Sequence, residues 1–391
     1  MTTTGTVEYD AAIVSASPLG LSEALMLTRE GRRVVVCDRR AHIGGAWRTE
    51  TALGYRDVEV GCHIFIPGIR VGIALQTLWG VQLAPLTPPP QTVYRIRGRH
   101  LQGAYLSPLL DGVVNGIDAT RTVMGVFERP QRGTWRSAFD RYLQSASLLR
   151  RAVRSRFAAP GPLLYPPAGT AAIVRALAER VATAGVELRL RREATSVVVD
   201  SNGASLTLDD GTFIRARQLI ITRGSAIESI NGLALPRRRL VRRHWVVVLD
   251  DPAPKAFSYL QFHRHPAIER VSDVTSFARR LDGRAVESGR KIVCFYVNNA
   301  LYEQGRSQAQ YVLLHTMKQR RWIGQDAAVI ADGWWEDHES SYDHRLLGML
   351  QDANPALRVI REINLGAFLV NNLHRITTAA AAPLPSLTPG I

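Results

Sequence analysis

The chain is short of cysteine and of long apolar runs, and both shortages exclude classes of protein. Its 391 residues include three cysteines, Cys37, Cys62 and Cys294, and no two of them form a CxxC pair. This usage favours free thiols in a reducing compartment over a zinc site. No stretch reaches the roughly 18 apolar residues of a membrane helix, and the N-terminus lacks the basic and apolar regions of a signal peptide. We therefore expect a cytoplasmic protein with no integral membrane segment.

Negative charge is also in deficit. Asp and Glu number 34 against 49 Lys and Arg, which gives a formal net charge of +15. Such an excess can indicate a nucleic-acid partner, but no basic helix interleaved with aromatic residues supports that function. The arginines are spread along the chain as well as clustered. The composition therefore favours a solvated surface or a small anionic substrate, with no nucleic acid, and gives no prediction of the oligomeric state.

The first 45 residues have the pattern of a strand, a turn, a helix and a second strand. An apolar run from Tyr9 leads into a turn, and helical spacing continues from Leu21 to Glu30, where Gly31 stops it. Val34–Cys37 is a continuous apolar run, which is typical of a parallel strand buried on both faces. Together these segments predict a compact βαβ unit of a Rossmann-like α/β fold.

The remainder of the chain divides into regions of different pattern. Helical spacing at 105–157 predicts a helical domain over residues 91–159. Several β-rich runs predict an antiparallel-sheet substrate domain over residues 236–339. Residues 1–90, 160–235 and 340–391 are expected to form one discontinuous dinucleotide-binding domain. Within these regions the pattern predicts helices at 170–184, 307–319 and 343–350, and strands at 186–190, 195–199, 205–208, 218–222, 245–249, 257–262 and 292–297.

The turn of the βαβ unit carries a modified dinucleotide fingerprint. In GxGxxG the first glycine allows the tight turn, the second lets a pyrophosphate approach the backbone, and the third packs the helix against the strand. Ser15, Ser17 and Gly20 hold these positions, and Asp38 at the end of the second strand is placed to bind a ribose. Serine at the first two positions is expected to strain the backbone and to intrude on the phosphate space, which would weaken affinity.

A second element strengthens the nucleotide hypothesis. Arg39 follows the acidic residue directly, and Gly44 and Gly45 come shortly after it. A double glycine lets the backbone pass close to a phosphate and ribose, so these three residues are also candidate cofactor-binding residues. The alternative is that the βαβ unit has a structural role only.

The segment Asp38–Gly45, followed by Glu59-Val-Gly-Cys-His-Ile-Phe65, resembles UDP-galactopyranose mutase within the amine oxidase and protoporphyrinogen oxidase superfamily of FAD proteins. Weaker similarity continues at Tyr165–Thr170 and at Arg217–Thr222. The resemblance implies an FAD-binding Rossmann-like domain, a helical insertion and an antiparallel-sheet substrate domain. It also implies flavin chemistry, either nucleophilic attack on a sugar or acceptance of hydride.

The same resemblance implies two catalytic candidates. His63 would lie near the isoalloxazine ring, and Arg270 would grip a substrate diphosphate. A histidine bonded in the core and a surface arginine are the structural alternatives. Near the C-terminus the family has a glycine and an arginine, whereas this chain has Gly366 followed by Ala367. This departure leaves open a different substrate or a loss of flavin chemistry.

Three functions follow as hypotheses. The first is an FAD-dependent oxidoreductase or mutase that acts on a sugar nucleotide or another small anionic metabolite. The second is a degenerate, non-catalytic family member that has lost FAD, and the third is a flavin-independent isomerase or lyase that reuses the same cavity. No metal site is predicted, because the acidic segment Trp334–Glu339 fits no ligand spacing and has the composition of a solvated loop.

Overall fold

The computed structural model describes residues 8–60, 66–67, 69–96, 99–104, 163–222, 225, 227–235, 237–251, 256–263, 268–342, 344–360 and 365–381. Residues 91–96 and 99–104, which fall within the bounds of the expected helical domain, form strands. The helix-rich stretch expected at 105–157 lies outside the described residues, and so does His63.

The described residues form 22 strands and eight α-helices. In chain order the strands are β1 (Glu8–Val14), β2 (Val34–Asp38), β3 (Thr49–Ala52), β4 (Tyr55–Glu59), β5 (Ile66–Pro67), β6 (Ala84–Pro85), β7 (Gln91–Ile96), β8 (Arg99–Ala104), β9 (Leu163–Tyr165), β10 (Glu187–Leu190), β11 (Ala194–Asp200), β12 (Gly203–Leu208), β13 (Phe213–Thr222), β14 (Ser229–Ile230), β15 (Leu233–Ala234), β16 (Arg237–Asp250), β17 (Tyr259–His263), β18 (Ile268–Asp273), β19 (Arg279–Arg280), β20 (Arg290–Val297), β21 (Ala328–Tyr342) and β22 (Leu357–Ile360). The helices are α1 (Pro18–Arg29), α2 (Ile69–Trp79), α3 (Thr170–Thr183), α4 (Asn299–Tyr302), α5 (Arg306–Gln319), α6 (His344–Ala353), α7 (Leu365–Asn371) and α8 (Leu373–Ala381).

The larger sheet has, among the described residues, nine strands in the order β10, β2, β1, β13, β12, β11, β14 and β15, with β22 beside β13. The pairs β10–β2, β2–β1, β1–β13 and β13–β22 are parallel. The first four residues of β2 are buried, as expected for a parallel strand covered on both faces. The predicted βαβ unit is therefore confirmed as β1, α1 and β2.

Helices cover both faces of this sheet. Leu21 and Leu25 of α1 pack with Leu177 of α3 and Ile376 of α8 on one face. On the other face, Leu347 of α6 joins the apolar side chains of β11 to β13. Two buried layers around a mainly parallel sheet are typical of the doubly wound α/β class, so the predicted fold class is confirmed.

Helix α1 carries a buried charge that ties it to the end of the described chain. Glu23 is fully buried, and Arg375 Nη1 contacts both of its carboxylate oxygens at 2.8 and 3.0 Å. Arg358 in β22 contacts the same carboxylate at 2.5 Å. Because a buried carboxylate is costly without a partner, these two arginines hold β22 and α8 against α1.

The second sheet has the order β21, β16, β20, β18, β17, β7 and β8, and its pairs are antiparallel except for β17–β7. Its outer face packs Trp245 and Phe295 against Leu313 and Met317 of α5. The opposite side of the sheet, which bears Val246 of β16, packs against the β3–β4 hairpin and is called the inner face below. Since that hairpin follows the double glycine, the inner face is turned toward the nucleotide-binding unit.

Candidate dinucleotide site and the adjoining sheet face

In the turn between β1 and α1, the backbone of the first helical turn lies very close to the backbone at the end of the strand. Ser17 is the N-cap of α1, and Pro18 begins the helix, where its missing N–H costs no hydrogen bond. A Cβ on Gly20 would lie 2.1 Å from Ser15 O, so only glycine fits there. The packing role expected for Gly20 therefore has a direct steric cause.

The two serines bond to each other and to the turn. Ser15 Oγ donates to Ser17 Oγ at 2.8 Å, and the N–H groups of Ser17 and Gly20 donate to Ser15 Oγ and Ser17 Oγ, each at 3.3 Å. Ser17 has φ −73° and ψ 163°, and Ser15 is not among the described non-glycine residues with positive φ. The expected backbone strain is therefore wrong, because the turn keeps both serines in regions that any residue adopts. The hydroxyls instead accept hydrogen bonds from N–H groups that could otherwise donate to a phosphate.

Asp38 joins the turn to the end of β2. Its two carboxylate oxygens accept hydrogen bonds from the Ala16 N–H at 2.8 Å and the Arg40 N–H at 2.9 Å. Each oxygen retains a further lone pair, so these bonds are compatible with a ribose hydroxyl as an additional donor. Arg39, the next candidate, is exposed.

The double glycine packs directly on the turn. The Gly44 N–H donates to Ala16 O at 2.8 Å. Gly44 has φ 103° and a Cβ there would lie 2.8 Å from Val174 Cγ2, while Gly45 has φ 56° and faces Ser17. Both glycines are thus required by left-handed backbone and by contact. The structure brings Ser15, Ser17, Gly20, Asp38, Gly44 and Gly45 together at the N-terminus of α1.

Glu59 begins the segment Glu59–Phe65 that carries the family resemblance, but the sequence did not identify it as a candidate site residue. Its buried carboxylate accepts hydrogen bonds from Tyr165 Oη at 2.9 Å and from Thr170 N–H at 2.5 Å. Thr170 is the first residue of α3, so the carboxylate lies at the positive end of that helix. The bonds fix the start of the segment that leads to Gly61 and His63.

Arg270 lies on the inner face of the second sheet, where register brings several polar groups together. It is paired with Tyr296 of β20, which is paired with His244 of β16. The Arg270 guanidinium lies 4.9 Å from the centroid of the Tyr296 ring, and Arg242 lies 5.8 Å from it. Arg270 is half-buried and engaged with an aromatic ring, which differs from the expected alternative of a surface arginine.

The acidic segment Trp334–Glu339 is not a loop. It lies in β21, paired with β16, and Asp337 is buried against His244, with His244 Nε2 3.5 Å from Asp337 Oδ2. Arg48 Nη2 is 3.3 Å from the other oxygen of Asp337. The expectation of a solvated loop is wrong, because this segment pairs with β16 as a strand and Asp337 is buried beside His244 and Arg48.

The electrostatics of this pair follow from burial and neighbouring charge. Burial lowers the pKa of His244, and Arg270 and Arg242 lower it further, while Asp337 opposes the shift. Burial alone would raise the pKa of Asp337, but His244 and Arg48 outweigh it and hold that pKa below its ordinary value. His244 is therefore a neutral imidazole beside a carboxylate at pH 7.

Two other expectations concern metals and membranes. In the part of the chain that the structure describes, no group of three or more His, Cys, Asp or Glu side chains is arranged to hold a metal ion. None of the described helices has both the length and the apolarity to cross a membrane.

Comparisons with known proteins agree with this geometry. A family model described as FAD dependent oxidoreductase (DAO) matches residues 18–291. A sequence search of curated proteins gives no significant match.

Solved structures are similar across nearly the whole chain. A wild-type putrescine oxidase bound to putrescine has 15% identity and a TM-score of 0.60, over 96% of this chain and 99% of that one. A protein from Exiguobacterium sp. 255-15 described as a candidate protoporphyrinogen oxidase has 13% identity and a TM-score of 0.58, over 96% and 98%. Reduced UDP-galactopyranose mutase has 15% identity and a TM-score of 0.56, over 89% and 86%. At these identities the likeness concerns the fold.

Proposed function

Since the chain belongs to the FAD-dependent oxidoreductase (DAO) family, we propose that it binds FAD at the turn of the βαβ unit and uses the flavin on a small anionic metabolite. The observation that carries this proposal is the contact between Gly44 and Ala16, which joins the double-glycine loop to the helix N-terminus. Backbone N–H groups at a helix N-terminus favour a diphosphate.

The residues present fit the cofactor with one adjustment. Gly20, Gly44 and Gly45 leave the space that a Cβ would fill, and Asp38 would bind the ribose while Arg39 lies at the rim. The bonds from backbone N–H groups to the serine hydroxyls are long, since common N–H···O distances are about 2.7–3.2 Å. Ser15 and Ser17 would give up these bonds, so that the N–H groups could donate to a phosphate oxygen instead. When bound, FAD supplies the capacity to accept or return electrons.

The chain's own residues would position the substrate. Arg270 on the inner face would bind an anionic group such as the diphosphate of a sugar nucleotide, and His63 is proposed to lie near the flavin. Tyr296 holds the Arg270 guanidinium over its ring, which limits the orientations of that side chain. Val246 and Val248 of the inner face pack with Tyr55 and Val58 of the β3–β4 hairpin.

An absorbance scan and an FAD titration of the purified protein test this proposal. Yellow protein, or saturable FAD binding, is expected. Asp38→Ala should weaken binding by about 1–3 kcal/mol through the loss of a charged hydrogen bond, with Asp200→Ala at the exposed end of β11 as the control. Colourless protein with no affinity for FAD would eliminate the flavoenzyme.

The bonds of Ser15 and Ser17 to the turn favour a second candidate, a degenerate member without FAD. Flavin binding that appears only in the variant with both Ser15→Gly and Ser17→Gly, without activity in the native protein, would support it. Turnover by colourless native protein would instead support a flavin-independent isomerase or lyase. A cytoplasmic location stays a prediction.

A further inference from the structure

The double-glycine loop, which runs from Gly44 to Arg48, contacts both halves of the protein. At its start the Gly44 N–H donates to Ala16 O, in the turn between β1 and α1, at 2.8 Å. At its end Arg48 Nη2 lies 3.3 Å from Oδ1 of Asp337, which belongs to β21 of the second sheet. Gly45–Trp47 form a single turn of 3₁₀ helix between these two contacts. The loop is therefore attached to the candidate cofactor site at one end and to the second sheet at the other.

Arg48 supplies positive charge to a buried acid. Asp337 is 5% exposed, and one of its oxygens faces Arg48 while the other lies 3.5 Å from Nε2 of His244. Burial lowers the pKa of His244, so the imidazole is neutral at pH 7 and the guanidinium carries the compensating charge. The contact with Arg48 is an ion pair without a hydrogen bond of regular geometry. Because a buried carboxylate that loses its cation is strongly destabilised, Asp337 restrains the position of Arg48.

A second acid, Glu50, contacts the same arginine from the loop's own side. Glu50 Oε1 lies 2.9 Å from Arg48 Nε, and both side chains are partly exposed. Glu50 belongs to β3 and is only two residues farther along the chain, so this contact is local. It offsets the charge of Arg48 but does not connect the loop to the second sheet. Asp337 and Glu50 thus separate attachment of the loop from simple compensation of its charge.

The charge of Asp337 also interacts with an arginine that precedes the double glycine. Arg40 Nη1 lies 3.9 Å from the position of a Cβ on Gly45, so its guanidinium is close to the loop. Burial would raise the pKa of Asp337, but His244, Arg48 and Arg40 together lower it. The two arginines that flank the double glycine are therefore both attracted to one acid of the second sheet.

We propose that Asp337 is a positioning residue for the cofactor: through Arg48 it holds the double-glycine loop in contact with the turn between β1 and α1, and so increases the affinity of that turn for the diphosphate of FAD. The inference rests on the proposed function and extends it, because it makes a residue of the second sheet part of the cofactor site. Coupling between two sites is reciprocal, so bound FAD should in turn hold Arg48 against Asp337.

Hydrogen exchange in the cofactor-free protein measures how firmly the loop is held. The Gly44 N–H is bonded to Ala16 O and the Trp47 N–H to Gly44 O, so both amides exchange only when the loop opens. Mass spectrometry of a peptide that covers residues 43–48 follows this opening. A peptide that covers β12 reports overall stability, because global unfolding would speed its exchange as well. Fluorescence quenching of FAD gives Kd for the same samples.

Three substitutions separate the contact with the sheet from local charge. D337N and R48M should each speed exchange of the loop peptide about fivefold or more, which is the lower end of typical coupling between sites, and should raise the Kd for FAD by a similar factor. E50Q is the matched control: it removes a carboxylate from the same arginine and should leave the exchange rate and Kd at their wild-type values. In the R48M background D337N should have no further effect, because its partner is already gone. The β12 peptide should exchange at the wild-type rate in every variant.

An unchanged exchange rate of the loop peptide in D337N would overturn the proposal, and so would equal acceleration in E50Q or in the β12 peptide. Faster opening of the loop with an unchanged Kd would overturn it too, since the contact would then not serve the cofactor. If D337N does not fold, R48M, at a partly exposed arginine, decides by the same criteria. Wild-type protein without affinity for FAD would refute the flavoenzyme, whereas FAD binding that is indifferent to Asp337 would refute the positioning role alone.

Discussion

Replacement of Ser17 by glycine should tighten the binding of FAD. In the structure the Gly20 N–H donates to Ser17 Oγ at 3.3 Å, so the hydroxyl occupies a donor that a phosphate could use. A hydrogen bond to a charged acceptor contributes about 1.5–3 kcal/mol and one to a neutral acceptor about 0.5–1.5 kcal/mol. The exchange therefore gains about 1 kcal/mol, or about a fivefold lower Kd.

Ser17→Ala separates the hydrogen bond from the bulk of the side chain. It frees the Gly20 N–H but keeps Cβ, which lies 3.3 Å from the position of a Cβ on Gly45. We expect a smaller gain in affinity and, because α1 loses its cap, a cost of about 1 kcal/mol in the free energy of unfolding.

Quenching of FAD fluorescence measures Kd for the wild type and both variants. Ser201→Gly, in the exposed turn between β11 and β12, is the matched control and should leave Kd unchanged. An unchanged or higher Kd for Ser17→Gly, with the control at the wild-type value, would refute the idea that the serine competes with a phosphate.

Three further substitutions or modifications test the supporting structure. Glu59→Gln should cost about 1–3 kcal/mol in urea unfolding, because the amide cannot accept every bond that the buried carboxylate accepts; a loss no larger than that of Glu179→Gln on the surface of α3 would contradict this. Glu23→Gln should lower the free energy of unfolding by about 2 kcal/mol, an effect reduced by the partial exposure of its two arginine partners. Unchanged stability would show that water satisfies both arginines without the carboxylate. Burial raises the pKa of Cys37 to about 12, so mass spectrometry should find it unmodified by iodoacetamide at pH 8 in the native protein and modified after denaturation; rapid labelling of the folded protein would disprove its burial.

Local periodicity predicted two of the long helices closely, one in the nucleotide-binding half and one on the second sheet. The helices expected at 170–184 and 307–319 are α3 and α5 within one residue at each end. These segments are long and strongly patterned, so burial of one face decides their structure. Helix α1 begins at Pro18 rather than at Leu21, since Ser17 caps it earlier than the apolar spacing indicates.

The sheet half was harder to predict at its polar positions. Asp337 looks solvated in the sequence because acidic residues surround it, and only pairing of β21 with β16 brings His244 to it. The same applies to Glu59, whose partners belong to a distant strand and helix. The adjacent Trp334 and Trp335 are a local signal that favours a partly buried strand in this segment.

Strand β22 has a consequence for how the protein is made. It lies beside the carboxyl half of β13, with Leu357 to Ile360 paired to Leu219 to Thr222, so the parallel core receives this strand late in synthesis. Until residues 357–360 leave the ribosome, that edge of β13 has unpaired backbone groups that can pair with a strand of another chain. The edge therefore stays open to mispairing for the time that the 134 residues between Thr222 and Leu357 take to be synthesised.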